Sequence, residues 1–150
     1  MKKLVLVCVL LMTPFAIFAS VTIDNSWIRA TVPQQQSAGA FLQISTTEDT
    51  RLISISSPVA KAVEIHEMSM SKDFMKMRSI AYLDLPAGQS TRLESGGTHL
   101  MLLGLRQQMK KGNLVPVTLI FQNKNKKKET IKLNIPVEAI NYLPADHSKH

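Results

Sequence analysis

The chain has 150 residues, a formal net charge of +7 and 45% hydrophobic residues, with a single cysteine. This length is sufficient for one domain with its own core, and we find no internal repeat or low-complexity linker. One cysteine excludes an intramolecular disulfide.

The N-terminal residues 1–19 have the layout of a secretory signal peptide. Lys2 and Lys3 are followed by the apolar run 4–12 and by small residues up to Ala19. We predict cleavage after Ala19 and a periplasmic location, with no stable membrane insertion. The apolar run is short for a membrane span, so an uncleaved anchor is the weaker alternative.

The only cysteine, Cys8, lies inside this segment and would leave with it. The mature chain would then contain no thiolate ligand and no cysteine nucleophile. A blue-copper electron-transfer site requires a Cys thiolate beside its two histidines. That function is therefore excluded, as is thioredoxin-like redox chemistry.

Beyond the signal, short alternating or apolar runs separated by Pro and Gly turns predict an all-β domain built as a two-sheet sandwich over residues 20–140. The segment 105–111 is the one candidate for a helical turn, and residues 141–150 are expected to form a flexible tail. The predicted strands cover residues 26–32, 40–45, 52–56, 62–68, 75–82, 99–105, 115–121 and 129–137.

Four residues form the most informative pattern: His66, Met77 after ten intervening residues, His99 after twenty-one more, and Met101 two places on. Two imidazoles and two thioethers form a soft, uncharged ligand set, which selects Cu(I) over zinc or hard cations. Residues two apart on a strand face the same side, so His99 and Met101 can share one ion. We therefore predict one Cu(I) site.

Further methionines lie between the first two predicted ligands. Met68 and Met70 share the parity of His66, and Met75 shares that of Met77. Methionine usually serves as a flexible filler of cores, so packing is the alternative interpretation. The polar residues around them favour an exposed hairpin, in which these methionines are either additional ligands or a soft apolar rim.

The chain also resembles the periplasmic copper chaperone family PCu(A)C, whose signature spacing is reproduced at His66, Met77, His99 and Met101. The resemblance spans nearly the whole mature chain, with further matching segments at 27–30, 63–68, 75–78, 85–88 and 96–102. It implies a cupredoxin-like, Greek-key β-sandwich that binds one Cu(I) ion.

The resemblance also implies a role and partners. Family members are thought to supply copper to the CuA centre of cytochrome c oxidase, often beside a Sco-type protein. We accordingly expect a monomeric carrier whose partner is a copper acceptor, either oxidase subunit II or a Sco-type protein. A carrier must release its ion, and neutral thioethers hold copper less tightly than thiolates.

Three peripheral features have ordinary interpretations. Glu64 and Glu67 flank His66, and a solvent-facing role is favoured for both over a hydrogen bond to the histidine. The lysine-rich segment 124–128 is expected to be a solvated turn, and the exported location argues against nucleic acid. His147 and His150 could bind Cu(II) weakly, although disorder of the tail is favoured.

No sequence motif points to an enzyme, because the chain lacks a nucleophile elbow, a phosphate-binding loop and a metalloprotease signature. Two alternatives to a delivery protein remain. One is an exported β-sandwich interaction module in which the Met and His residues only pack, and the other is a copper-tolerance buffer without a specific acceptor.

Overall fold

The computed structural model describes residues 20–145, and within this range it contains ten β-strands and no helix. All eight predicted strands are present. Two short strands, β6 and β7, were not predicted. The strands are β1 (Val21–Arg29), β2 (Ser37–Thr46), β3 (Thr50–Ser56), β4 (Ala60–Ser71), β5 (Phe74–Ile80), β6 (Leu83–Leu85), β7 (Ser90–Leu93), β8 (His99–Leu105), β9 (Leu114–Asn123) and β10 (Lys128–Glu138).

The strands form two sheets that are joined in one continuous order of hydrogen-bonded strands. The first sheet runs in the order β5, β4, β8, β2, β1, and β7 pairs with the other half of β2. The second sheet runs β10, β9, β3, β6. The sheets are joined where β1 pairs in parallel with β10, and every other strand pair is antiparallel. The predicted all-β sandwich is confirmed.

The core forms because alternate residues of each strand point inward. In β9, Val115, Val117, Leu119 and Phe121 are all buried. In β8 the inward positions are Leu100 and Leu102, both completely buried. This alternation places His99 and Met101 of β8 on the opposite face of the first sheet.

The segment 105–111 is not helical. Its backbone is instead bonded to neighbouring loops, since the Arg106 N–H donates to the Val59 carbonyl and the Thr31 N–H donates to the Met109 carbonyl. The Thr31 hydroxyl also accepts from the Met109 N–H, and the Met109 side chain is 1% exposed. These long-range bonds replace the local bonds that a helical turn would need.

Some predictions fall wholly or partly outside the described residues. The signal peptide with Cys8, and His147 and His150 of the tail, lie there. Among residues 20–145, no helix is long and apolar enough to cross a membrane. In the described start of the tail, the Tyr142 ring meets the edge of Trp27, with ring centroids 4.9 Å apart.

Candidate metal centre

The two predicted histidine ligands lie directly opposite each other on adjacent strands. His66 of β4 is paired with His99 of β8, and their ring centroids are 5.9 Å apart. Directly opposite residues of an antiparallel pair point to the same side of the sheet. The two histidines have 32 residues between them in the sequence, and they lie in one site because β4 and β8 are neighbours.

Both ring nitrogens of His66 have close partners. Nε2 lies 2.9 Å from Glu64 Oε2, and Nδ1 lies 3.1 Å from Met77 Sδ. An ionised carboxylate only accepts hydrogen bonds, so Nε2 carries the proton and donates it. The Nδ1 lone pair is then directed at the sulfur of Met77, which places two potential metal donors side by side.

Glu64 is therefore not a purely solvent-facing residue, and that expectation was wrong. Its hydrogen bond with His66 is the largest of the effects that hold the pKa of its carboxyl below the usual value, and a hydrogen bond with Ser79 contributes further. Glu64 shares the parity of His66 on β4, which makes the contact possible. Glu67, of opposite parity, instead pairs with Arg78 at 2.7 Å.

His99 is held more rigidly than His66. It is 6% exposed, and its Nδ1 donates to the Gly97 carbonyl at 2.9 Å. That bond fixes the proton on Nδ1 and leaves Nε2 as the nitrogen with a free lone pair. Burial and this hydrogen bond restrain the ring, which suits a fixed ligand.

The strand register brings the two methionines to the same sheet face as the histidines. Met77 of β5 is opposite Met68, two residues from His66 on β4, and is 48% exposed. Met101 of β8 lies between Glu64 of β4 and Gly39 of β2, and is partly buried. All four sequence-predicted residues are thus on one face of three adjacent strands.

Three further residues build one wall of the site, and sequence analysis did not identify them. The centroid of the Phe41 ring lies 6.1 Å from that of His99 and 4.5 Å from that of Trp27. Phe41 and Trp27 are both largely buried. Phe41 folds over Gly39, the neighbour of Met101. A glycine inside a strand is the signal that could have revealed this close approach.

The arrangement presents two imidazole nitrogens and two thioether sulfurs with no net charge. Among residues 20–145, no three His, Cys, Asp or Glu side chains are grouped so as to hold a metal ion. The donor chemistry of the four residues is that of a soft monovalent cation, because thioethers bind Cu(I) well and hard cations poorly.

Comparisons with known proteins place the chain in a family. A family model described as "Putative lipoprotein LpqE-like" matches residues 21–137. The chain belongs to this LpqE-like family. A curated relative, "Putative lipoprotein Lxx21020" of Leifsonia xyli subsp. xyli (strain CTCB07), is 24% identical over 104 residues, which are 69% of this chain and 63% of the relative. The match thus spans less than two thirds of that relative.

Solved structures with the same fold include a PCuAC domain and a protein in its Cu(I) form. The apo PCuAC domain of PmoF2 superposes with a TM-score of 0.66 at 21% identity, over 85% of this chain and 96% of that one. The CuI-DR1885 structure from Deinococcus radiodurans has a TM-score of 0.62 at 22% identity, over 82% and 81%. The predicted resemblance to PCu(A)C proteins and the cupredoxin-like fold of this LpqE-like chain are therefore confirmed at the level of architecture.

Proposed function

We propose that this protein is an exported Cu(I) carrier that binds one ion through His66, Met77, His99 and Met101. The observation that carries the proposal is that β4, β5 and β8 bring these two imidazoles and two thioethers to one sheet face. The copper-bound form of a PmoF2 PCuAC domain, which has the same fold at 20% identity, supports it. On this proposal the protein is a carrier rather than an enzyme.

The hydrogen bonds at the site support a choice of donor atoms for this proposal. Glu64 holds the proton of His66 on Nε2, so Nδ1 is the ligand nitrogen, and the Gly97 carbonyl makes Nε2 the ligand nitrogen of His99. Neutral imidazoles with fixed tautomers are ready to bind without rearrangement. Met77 is half exposed and His99 is buried, so an acceptor reaches the thioether side first.

Delivery to an acceptor with cysteine thiolates is the second part of the proposal. A thiolate binds Cu(I) more strongly than a thioether, so the exposed Met77 can be replaced while His99 still holds the ion. Transfer in that direction is downhill. We propose oxidase subunit II or a Sco-type protein as the acceptor, after export directed by residues 1–19.

An anaerobic Cu(I) titration against a chromophoric chelator tests the binding. We expect one tight equivalent in the wild-type protein and its loss in Met77→Leu/Met101→Leu. Absence of a tight equivalent in the wild type overturns the proposal and leaves an interaction module whose Met and His residues only pack.

A separate experiment distinguishes delivery from copper buffering. The Cu(I)-loaded protein is mixed with the copper-free CuA domain of subunit II, and separately with a Sco-type protein, and copper is quantified in each after separation. Movement of copper to either acceptor supports delivery. Full retention of copper against both acceptors supports a tolerance buffer instead.

A further inference from the structure

The β4–β5 hairpin carries two directly opposed pairs of methionines. Met68 is paired with Met77, and Met70 with Met75. The two pairs are two residues apart on each strand, so all four side chains point to the sheet face that holds His66. We call these four residues the thioether ladder. The pairs are roughly 7 Å apart along the strands, from a rise of about 3.3 Å per residue.

Core packing does not explain the thioether ladder. Met70 is 70% exposed, Met75 is 56% exposed and every residue of β5 except its last is exposed. Within residues 20–145, the strand β5 is also the end of its sheet, with β4 as its only neighbour in the strand order. Methionines that serve as gap-fillers lie inside cores, as Met109 does here at 1% exposure.

The opposite face of the hairpin carries mostly polar side chains and no methionine. There Arg78 donates to Glu67, and the Ser69 hydroxyl donates to the Lys76 carbonyl. Polar and charged side chains thus occupy that face from Glu67 to the turn, apart from Phe74 opposite Ser71, and the same two strands present only thioethers beyond His66 on the other face. An ordinary solvated hairpin needs no such separation, because water accommodates both faces.

Three of the four sulfurs can converge on one ion. Opposed residues have Cβ atoms about 5 Å apart and diagonal ones about 7–8 Å apart, and a methionine side chain spans such distances with three rotatable bonds. No carboxylate lies on this face between Met68 and the turn, so the site would be neutral and sulfur-only. Such a donor set selects Cu(I) or Ag(I) and rejects zinc and hard cations.

We infer that Met68, Met70 and Met75 form a second Cu(I) site at the tip of the β4–β5 hairpin, separate from the His66–His99 centre. The choice of metal rests on the proposed function, but the site itself stands on the exposure and pairing of the hairpin. Met77, opposite Met68, lies between the two sites. A copper ion arriving at the exposed tip would be one step along the strand from the histidines.

Methionine-methyl NMR tests this inference. The full chain is labelled with ¹³C at its methionine methyl groups and titrated anaerobically with Cu(I) as its acetonitrile complex. We expect the first equivalent to shift the methyls of Met77 and Met101, the second to shift those of Met68, Met70 and Met75, and Met109 to stay unchanged. The second ion is expected to be held less tightly than the one tight equivalent, so competition with a chelator of low Cu(I) affinity counts both equivalents.

The variant Met70→Leu/Met75→Leu should lose the second equivalent and keep the first within about twofold. Phe74→Leu is the matched control, since Phe74 is 76% exposed at the same tip and offers no sulfur; it should keep both equivalents. A second equivalent that leaves the three tip methyls unshifted, or that survives in Met70→Leu/Met75→Leu, overturns the second site. If Cu(I) does not shift the methyl signals of Met77 and Met101, the proposed function is overturned, whatever the result at the hairpin tip.

Discussion

The ring of Phe41 occupies the space where a side chain at Gly39 would begin. A Cβ atom at residue 39 would lie 2.8 Å from Phe41 Cζ. Phe41 cannot easily retreat, because it is 6% exposed and packs between Trp27 and His99. The absence of a side chain at Gly39 therefore sets the position of the aromatic wall beside the candidate metal centre.

Gly39→Ala should consequently destabilise the protein by about 1–3 kcal/mol, the usual cost of overpacking. Chemical denaturation at neutral pH measures the change. Gly97→Ala is the control, because its Cβ would meet nothing closer than Glu94 Cγ at 3.7 Å. Equal stability of Gly39→Ala and wild type would contradict the proposed constraint on the Phe41 ring.

Glu64→Gln should weaken Cu(I) binding by roughly 10–100-fold, the usual cost of removing a group that orients a metal-bound histidine. The amide no longer offers His66 Nε2 an ionised acceptor. Chelator competition measures the affinity. Glu67→Gln, three residues away and paired with Arg78 on the opposite face, should bind as the wild type does. Equal losses in both variants would point to a general charge effect rather than to His66.

Met101→Leu separates coordination from packing. Leu and Met have similar volumes, so the substitution should change the free energy of unfolding by less than about 1.5 kcal/mol, while Cu(I) affinity falls at least about tenfold because one donor is lost. Met109→Leu, at a fully buried core position, should show a comparable stability change and unaltered copper binding. Lower stability with intact binding in Met101→Leu would contradict coordination by Met101.

Asp49 should make stability depend on pH. Its carboxylate accepts from the Ala87 N–H at 2.8 Å and pairs with Lys124 at 2.6 Å. The hydrogen bond from Ala87 is the largest single cause that holds the pKa of Asp49 below the ordinary value of 3.8, and the hydrogen bond and charge of Lys124 lower it further. A carboxyl whose pKa is lower in the folded than in the unfolded state stabilises the protein at pH values above its unfolded-state pKa. That stabilisation is lost as the pH falls through the folded-state pKa.

The stability difference between wild type and Asp49→Asn should therefore be full at pH 7 and shrink below about pH 3.8. Urea midpoints at several pH values measure the difference. A gap that stays constant down to pH 2 would show that the charge of Asp49 is not involved.

The sequence predicted the strands that carry the site because those strands are long and alternate clearly. β6 and β7, with three and four residues, are too short to show periodicity. The segment 105–111 was ambiguous because its structure depends on bonds to Thr31 and Val59, which are distant in the sequence.

At the site, parity predicted that His99 and Met101 share a face. Only strand order and register place His66 opposite His99 and Met77 beside it. The role of Glu64 follows from the side-chain rotamers that bring its carboxylate to Nε2, and such contacts are not encoded in spacing. The aromatic wall depends on contacts between β1, β2 and β8; the glycine inside β2 indicates a close approach there but does not reveal which rings make it.

On the proposed function, one Cu(I) ion is held by two imidazole nitrogens and two thioether sulfurs. Copper K-edge X-ray absorption of the protein loaded with one equivalent of Cu(I) tests it most directly, because nitrogen and sulfur scatterers are distinguished by bond length and amplitude. We expect two nitrogen and two sulfur scatterers, with one sulfur lost in Met101→Leu. A spectrum without sulfur, or one that is unchanged in Met101→Leu, would contradict it.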